Sequence, residues 1–257
     1  MRIHETAIVH PKAEIGDDVE IGPFSIIDED VKIGDRTKIG PYVHIKRWST
    51  IGEDCNIYES VVIGSEPKDL KHKPGDRSFV IIGDRNNIHE YTSIARATGT
   101  DQITLIGDDN LLMAYVHVAH DCVIGNKTIL ASFATLGGHV MVEDRAIIGA
   151  QSSMHQFVRI GTLAFAGACA KIVQDVPPYM IADGYPASVR CLNTVGLIRN
   201  GMPSEKRLLL KRAFKILFRS NLNRSQAIDK IRKEIEMCEE IEHLLEFIES
   251  SKRGIGV

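Results

Sequence analysis

The chain has 257 residues, of which 44% are hydrophobic and 25% charged, and its formal net charge at pH 7 is -3. This composition is typical of a folded protein and excludes a disordered chain. The weak net charge gives no sign of a nucleic-acid partner, and no apolar run approaches the roughly 18 residues of a membrane-spanning helix. The first residues lack a secretory hydrophobic segment, and the five cysteines form no CxxC pair. We therefore expect a cytoplasmic protein with reduced thiols.

A repeat of six residues begins at the first isoleucine. Glycine often follows the aliphatic position, and a small or β-branched residue often comes four residues after it. A period of six is neither the 3.6 of an α-helix nor a heptad; it suits a short strand followed by a turn. Such hexapeptide repeats predict a parallel β-helix of 18-residue triangular coils, stacked ~4.8 Å apart. The first series is Ile3, Val9, Ile15, Ile21, Ile27, Ile33, Ile39, Ile45, Ile51, Ile57 and Ile63, and the repeat continues as far as Ile172.

Two segments interrupt the repeat, and a third segment follows it. Residues near 65–78 are charged and contain Pro67, Pro74 and Gly75, so they predict a loop, and a shorter loop is expected near 96–104. Past residue 192 the sequence has helical spacing, with Ser204 as a candidate N-cap and a capping-box-like pair at Asn223 and Gln226. We therefore predict a β-helix over 1–192 and a small α-helical domain over 193–257.

The repeat places four histidines on one side of the β-helix. His120, His139 and His155 follow the aliphatic positions of hexads that are 18 residues apart, and His117 ends the hexad before His120. All four are expected to point outward within about three coils, or roughly 10–15 Å along the axis. An outward face of stacked coils is flat and offers no pocket by itself. Packing against identical copies would supply a second wall, which predicts an oligomer with sites between subunits.

Two chemistries suit this group of histidines. A zinc site needs three converging nitrogen or sulfur ligands and an open position for water, whereas a neutral imidazole can act as a general base. Asp121 adjoins His120 and could orient its ring. Gly138 lies outside the usual glycine position of the hexad, next to His139, and a glycine N–H can receive an oxyanion. The residues alone leave both alternatives open.

Several stretches resemble the UDP-N-acetylglucosamine acyltransferase family: "AHDC" at 119–122, "HQF" at 155–157 and "QDVPPY" at 174–179, before a helical tail. The resemblance implies a left-handed β-helix, although the usual crossover preference is right-handed. It also implies a homotrimer with active sites between subunits. The implied reaction transfers an (R)-3-hydroxyacyl group from acyl carrier protein to the glucosamine 3-position of UDP-GlcNAc in lipid A synthesis. No cofactor or metal is implied.

The resemblance also assigns roles to individual residues. His120 would be the general base, Asp121 would tune its ring, and the Gly138 N–H would hold the oxyanion. Ala168 would lie where the acyl cleft closes. Asp69 would contact the sugar across the subunit interface, while Asn193 and Arg199 would hold the uridine end. The residues with implied substrate-binding roles are Asp69, Lys71, His117, His139, His155, Gln156, Asn193 and Arg199.

This chain departs from the family pattern at a few positions. Ala95 and Ala97 stand where the family shows a histidine and a glycine, Val195 stands where some relatives have glutamate, and "DGYPA" at 183–187 replaces a more polar version. Neither the acyl chain length nor the choice between a 3-hydroxyl and a 3-amino acceptor follows from the sequence. The alternatives are another sugar-nucleotide N-acyltransferase of the hexapeptide superfamily, a γ-carbonic-anhydrase-like zinc enzyme, and a non-catalytic scaffold.

The segment Arg199 to Arg224 is strongly basic. It carries eight lysines and arginines against one acid, Glu205. Acyl carrier proteins are acidic, so this segment is predicted to help dock the carrier by salt-sensitive attraction.

Overall fold

The computed structural model describes residues 2–70, 72–73 and 75–256. Within them the chain forms short strands followed by four helices. The strands are β1 (Arg2–Ile3), β2 (Ile8–Val9), β3 (Glu14–Ile15), β4 (Glu20–Ile21), β5 (Ile26–Ile27), β6 (Lys32–Ile33), β7 (Lys38–Ile39), β8 (His44–Ile45), β9 (Ser49–Ile51), β10 (Asn56–Ile57), β11 (Val62–Ser65), β12 (Phe79–Ile82), β13 (Asn87–Ile88), β14 (Ser93–Ala95), β15 (Ile103–Ile106), β16 (Leu111–Leu112), β17 (His117–Val118), β18 (Val123–Ile124), β19 (Ile129–Leu130), β20 (Thr135–Leu136), β21 (Met141–Val142), β22 (Ile147–Ile148), β23 (Ser153–Met154), β24 (Arg159–Ile160), β25 (Phe165–Ala166), β26 (Lys171–Ile172), β27 (Met180–Gly184) and β28 (Ala187–Leu192).

These strands form a left-handed parallel β-helix, as the repeat and the resemblance predicted. Every third strand joins the same sheet, so three sheets form the faces of a triangular prism. The first sheet starts at β1, the second at β2 and the third at β3. In the first sheet β27 continues the parallel order after β25, and β28 then turns back antiparallel to β27. This hairpin ends the stack of coils and leads into the helices.

The strand register explains the two interruptions of the repeat. Ile39 pairs with Ile57, one 18-residue coil further on, but Ile57 pairs with Ile88 and Ile88 with Leu112. The additional residues of these two long coils come between β11 and β12 and between β14 and β15. The second loop ends earlier than predicted, because Ile103 and Thr104 pair with Phe79 and Val80 as part of β15. Both loops leave the aliphatic column unbroken.

The interior of the prism is one aliphatic core. Ile45, Ile63, Ile88 and Ile94 are fully buried, in line with the inward position predicted for them. The corners between the sheets carry non-glycine residues with positive φ, such as Asp121 and His139, both at 60°. L-residues adopt this left-handed conformation only at a cost of about 1–2 kcal/mol, so the stacked coils must hold it in place.

Residues at equivalent corners stack in three rows along the axis. Backbone hydrogen bonds from one coil to the next set this alignment, for example from the His139 N–H to the His120 carbonyl at 3.0 Å. The charged row contains Asp18, Arg36, Asp54, Arg85, Asp109, Lys127 and Arg145. The aromatic row contains Phe24, Tyr42, Tyr91, Tyr115 and Phe133. The histidine row contains Asp121, His139 and Phe157.

Four helices follow the β-helix: α1 (Thr194–Arg199), α2 (Ser204–Phe218), α3 (Arg224–Glu234) and α4 (Glu239–Ser250). Asn223 and Gln226 form the predicted capping box at the start of α3. Ser204 is the first residue of α2, and Pro203 takes the N-cap position that was expected of Ser204. A second apolar core joins the helices to the end of the β-helix through Leu163, Tyr179 and Met180. None of the helices in the described ranges is both long and apolar enough to cross a membrane.

A polar contact supplements this junction. His243 of α4 approaches Glu143 of the β-helix at 3.0 Å through Nε2, and its Nδ1 lies 3.0 Å from the Tyr179 hydroxyl. The hydrogen bond to Glu143 raises the pKa of His243. Burial acts to raise the pKa of Glu143, but hydrogen bonds from His243 and Thr162 outweigh it and lower that pKa. The ion pair is therefore favoured where both groups are charged.

This ion pair predicts a pH-dependent contribution to stability. The stabilisation contributed by His243 is fully present below its ordinary pKa of 6.5 and is lost as the pH rises through its raised pKa. The stabilisation contributed by Glu143 is present above its ordinary pKa of 4.5 and is lost as the pH falls through its lowered pKa. His243→Gln should therefore lower the free energy of unfolding most between about pH 4.5 and 6.5, by roughly 1 kcal/mol, and less at alkaline pH. Denaturant unfolding across this range measures the difference. His4→Gln, at an exposed histidine, is the control, and an effect of His243→Gln that is flat with pH would contradict the assignment.

Candidate active site

The histidine row and the corner residues beside it bring the predicted catalytic side chains together. His120 and Asp121 form the corner after β17, and Gly138 and His139 form the same corner one coil further on. The Phe157 N–H donates to the Gly138 carbonyl at 3.0 Å, which fixes the following corner above it. The 18-residue spacing of the sequence thus becomes direct contact in space.

His120 is buried, with 8% of its surface exposed. Its Nδ1 lies 2.8 Å from Asp121 Oδ2, as the adjacency of the two residues suggested. When Nδ1 carries the proton and donates it to the carboxylate, Nε2 is left as an acceptor. His120 thus presents a base nitrogen away from Asp121.

Asp121 is held by residues that sequence reasoning missed. Its Oδ2 accepts hydrogen bonds from the Thr98 hydroxyl at 2.7 Å and from the Thr98 N–H at 3.1 Å. Its own N–H donates to the buried Thr104 hydroxyl at 2.8 Å. Both threonines come from the second interruption of the repeat or its edge. Thr104 lies 17 residues before Asp121, about one coil, whereas Thr98 lies 23 residues before it, a distance that the repeat does not connect with Asp121.

Asp69 approaches His120 from the first loop. Its Oδ2 lies 4.0 Å from His120 Nε2. The resemblance had implied a contact across the subunit interface, whereas this approach is within one chain. Asp69 and Asp76 of this loop line the same cleft as His139 and Phe157 of their own β-helix.

The loops also give the site a pocket. A cleft of ≈ 490 Å³ is lined by Asp69 and Asp76 from the first loop, by Thr98 from the second, and by His139 and Phe157 from the histidine row. The face of the coils was expected to need a second wall, and in this cleft the loops of the same chain supply one. The two long coils extrude enough residues to build a wall beside the corner.

Gly138 faces the ring of His120. A Cβ atom on Gly138 would lie 2.4 Å from His120 Cε1 and 2.7 Å from Nε2, so no side chain fits there. Among the described residues, no protein acceptor meets the Gly138 N–H. Glycine is therefore required at this position by the close approach of the imidazole, a reason that the hexad pattern did not reveal.

His117 lies on β17 beside the base and has a different partner. Its Nδ1 is 2.7 Å from the hydroxyl of Ser93, the residue paired with it in the neighbouring strand. Burial lowers the pKa of His117, and electrostatic interactions with Lys68 and His120 lower it further. His117 is therefore kept neutral, but it has no carboxylate partner of the kind that His120 has.

His139 completes the cluster. Its ring stacks on Phe157 with centroids 4.5 Å apart, and its Nε2 lies 3.7 Å from Asp121 Oδ2. His120, Asp121 and His139 each offer a ligand atom within 4.8 Å of the others, which is the one such metal-compatible grouping among the described residues. Oδ2 of Asp121 already accepts hydrogen bonds from Thr98, and a cation would have to compete with those donors.

The remaining predicted residues lie outside this cluster. His155 and Gln156 are exposed at the corner before Phe157, and Gln156 lines the cleft. Asn193 is buried and caps α1, accepting from the Gly196 N–H at 3.1 Å and donating to the Leu163 carbonyl at 2.8 Å.

The last three predicted residues are Arg199, Ala168 and Lys71. Arg199 is exposed in the last turn of α1, and Ala168 is exposed at a corner of the β-helix. Lys71 lies outside the described residues. Within the described chain, no contact joins Asn193, Arg199 or Ala168 to His120, so the structure leaves their predicted roles as predictions.

Family comparisons agree with this architecture. The model "Udp N-acetylglucosamine O-acyltransferase; Domain 2" matches residues 175–256, and "Bacterial transferase hexapeptide (six repeats)" matches residues 30–65 and 103–138.

Full-length relatives carry the same description. The acyl-[acyl-carrier-protein]--UDP-N-acetylglucosamine O-acyltransferase of Thermodesulfovibrio yellowstonii is 50% identical over 98% of both chains, and that of Syntrophobacter fumaroxidans is 46% identical over 99% of both. The crystal structure of a UDP-N-acetylglucosamine acyltransferase from Bacteroides fragilis superimposes with a TM-score of 0.96 at 40% identity, covering 98% of each chain. On this evidence the chain belongs to the UDP-N-acetylglucosamine O-acyltransferase family.

Proposed function

We propose that this protein transfers an (R)-3-hydroxyacyl group from acyl carrier protein to the 3-position of the glucosamine in UDP-GlcNAc, an early step of lipid A synthesis. The observation that carries the proposal is the buried His120, hydrogen-bonded to Asp121 at 2.8 Å and packed closely against Gly138, beside a cleft that Asp69, Thr98 and His139 line. The relatives named above are described as O-acyltransferases, which supports an oxygen as the acceptor atom.

In this proposal His120 is the general base. Its Nδ1–H donates to Asp121, so its Nε2 accepts the proton of the sugar hydroxyl while the oxygen attacks the thioester carbon. Asp69, 4.0 Å from Nε2, is placed to accept a hydrogen bond from the sugar. Asp121 orients the ring and stabilises the imidazolium that forms.

The thioester oxygen acquires negative charge as the new C–O bond forms. The Gly138 N–H, which has no protein acceptor among the described residues, is proposed to donate to it. Collapse of the tetrahedral intermediate breaks the C–S bond, and protonated His120 returns its proton to the departing thiolate of the carrier. The catalyst thus ends the cycle unchanged.

The other predicted residues are assigned to substrate binding. His117 and His139 flank the base and would line the sugar and acyl site, and Lys71 is retained as a predicted sugar contact. His155 and Gln156 would bind toward the phosphates. Asn193 would act on the uridine end by fixing the start of α1, since its amide already caps that helix, and the exposed Arg199 would contact the nucleotide directly. Ala168 would limit the acyl cleft.

We propose that the protein is a homotrimer and that a neighbouring copy completes the cleft. The aromatic row supports this arrangement, because Tyr115 stacks on Tyr91 and on Phe133 with centroids 4.8 and 4.7 Å apart. These three rings are about half exposed, at 46–52%, and form a continuous apolar surface at the height of His120. Apolar surfaces of this kind mark interfaces.

The basic segment is proposed to receive the acidic carrier. Lys206 is paired with Glu240 at 2.6 Å, and Arg219 donates to the Arg190 carbonyl at 3.0 Å. Lys211 and Lys215 have no acidic partner among the described residues, and with Arg219 they line a cleft whose floor includes Phe214. These lysines are the cations most available to an acidic partner.

The cytoplasm is the proposed compartment for this reaction. All five cysteines are free thiols: Cys55, Cys122, Cys169, Cys191 and Cys238. Free thiols without disulfides are typical of a reducing compartment.

The proposed reaction has a direct test. Wild-type protein incubated with UDP-GlcNAc and 3-hydroxyacyl carrier proteins of several chain lengths should yield an acylated UDP-sugar by mass spectrometry. His120→Ala should lower kcat by about 10²–10⁴-fold, the usual contribution of a general base. His117→Ala should lower kcat less and raise KM more, because His117 has a serine partner rather than a carboxylate.

Two controls separate this mechanism from its alternatives. Added zinc should not restore the His120→Ala variant, and a chelator should leave the wild-type rate unchanged. A larger loss of kcat in His117→Ala than in His120→Ala, or activation by zinc, would show that the roles are assigned wrongly.

Gly138→Ala tests the oxyanion position. The added methyl group would collide with the His120 ring and displace it, so kcat should fall by about 10²-fold or more. UDP-GlcNAc affinity, measured by calorimetry, should change little. A variant with wild-type kcat would exclude close packing of Gly138 against a catalytic imidazole.

Charge reversal tests the carrier surface. The double variant Lys211→Glu, Lys215→Glu should raise the KM for acyl carrier protein several-fold at low salt and leave the KM for UDP-GlcNAc unchanged. Lys252→Glu, at an exposed lysine near the C-terminus, is the matched control. Equal carrier KM values for the double variant and the control at low salt would contradict docking on α2.

The trimer can be tested at the aromatic row. Sedimentation equilibrium at micromolar concentration should give three chains per particle. Tyr115→Asp with Phe133→Asp should dissociate the particle and abolish turnover, because two buried charges at an interface are costly. A monomeric wild-type protein with full activity would overturn the proposal of a shared site.

A further inference from the structure

Thr98 lies beside the catalytic pair although it is 23 residues before Asp121 in the chain. Its hydroxyl and its backbone N–H both donate to Asp121 Oδ2, the same oxygen that faces His120 Nδ1. We propose that Thr98 is a positioning residue for the acyl transfer, holding the Asp121 carboxylate and through it the His120 ring. This inference rests on the proposed function, which assigns the base role to His120.

The second interruption of the repeat brings Thr98 close to Asp121. In an uninterrupted coil, a residue after β14 would continue directly into the next strand of the prism. Here Ile88 pairs with Leu112, so this coil is longer than 18 residues. Its additional residues leave the sheets of the prism. The extruded segment crosses the histidine row, where Thr98 meets Asp121 one coil further on.

The segment that precedes Thr98 is held firmly in place. The three residues before it, Ala95, Arg96 and Ala97, are buried at 2%, 3% and 0% exposure. The Arg96 N–H donates to the Ser65 carbonyl at 2.9 Å, and its guanidinium lies over the ring of Trp48, 5.0 Å from the centroid. A segment held this firmly can fix the position of the hydroxyl that follows it.

Asp121 needs such support because of its backbone. It occupies the left-handed region with φ 60°, where its side chain projects from a tight corner. Its N–H is held by the Thr104 hydroxyl, but that contact fixes only the main chain. The two bonds from Thr98 fix the carboxylate itself and leave Oδ2 in line with the imidazole.

The bonds also affect the charge of the site. A carboxylate that accepts several donors has part of its negative charge neutralised, and it stabilises a neighbouring imidazolium less than a bare carboxylate would. Besides Asp121, the titratable groups around His120 among the described residues are Asp69, His117 and His139. Removing the Thr98 hydroxyl changes one donor and none of these groups.

The test compares Thr98→Val with Thr98→Ser in the carrier-dependent assay. Valine keeps the shape and the backbone N–H but removes the hydroxyl donor, whereas serine retains it. Thr98→Val should lower kcat by about 10- to 100-fold, the value of a hydrogen bond to a charged group, with little change in the KM for UDP-GlcNAc. Thr98→Ser should recover most of the loss. Thr50→Val, at a threonine on β9, is the matched control and should keep the wild-type rate.

The pH profile separates positioning from a merely structural role. In Thr98→Val the backbone N–H still holds Asp121 beside His120, while loss of the hydroxyl donor leaves more negative charge on the carboxylate, so the base stays protonated to higher pH. The acidic limb of kcat/KM should therefore move to higher pH in Thr98→Val and return in Thr98→Ser. Titration of the His120 ring by NMR should shift in the same direction, and this measurement does not require turnover.

The outcomes distinguish the inference from the function on which it rests. If wild-type protein forms no acylated UDP-sugar, the proposed function fails, and the NMR titration still decides whether Thr98 acts on His120. If wild-type protein is active and Thr98→Val matches it in kcat and in pH profile, the inference is overturned. A raised KM with an unchanged pH profile would also overturn it, because Thr98 would then act as a substrate contact.

Discussion

The inward column of aliphatic side chains is the constraint on which the rest of this protein depends. Each coil contributes residues such as Ile45 and Ile63 that stack directly on their equivalents in the next coil, and their exposure is zero. Hydrogen bonds between the parallel strands keep that stacking in register. Because the column tolerates no shift, every outward side chain is also fixed in its direction and in its position along the axis of the β-helix. Rigid stacking of this kind lets a corner of the prism serve as a precise scaffold.

The candidate active site lies where this regularity is interrupted. Both long coils preserve the column, since Ile57 pairs with Ile88 and Ile88 with Leu112. One loop carries Asp69 toward His120, and the other carries Thr98 to Asp121. The repeat thus supplies stability, and the loops supply the polar contacts around His120 and Asp121.

The helical part is joined to the β-helix by a separate apolar core. Leu163 and Tyr179 belong to that core, and the ion pair of His243 with Glu143 adds a polar contact at the same junction. The helices therefore have a fixed position relative to the last coils. This arrangement lets α2 present Lys211 and Lys215 as a stable basic surface, as the proposed binding of an acidic carrier requires.

The sequence by itself determined the fold, because the cause of the fold is local and periodic. A period of six specifies a strand, a turn and an inward side chain without knowledge of distant residues. It also predicted that His120 and His139 would point outward on one face of successive coils. The pairing of His120 with Asp121 was likewise visible, since the two residues are adjacent. Only the tertiary structure decided what surrounds them. The contacts of Thr98 and Asp69 with the catalytic pair join residues far apart in the chain, through loops that follow no repeat. The requirement for glycine at position 138 has the same origin, because it depends on the distance to an imidazole in the preceding coil.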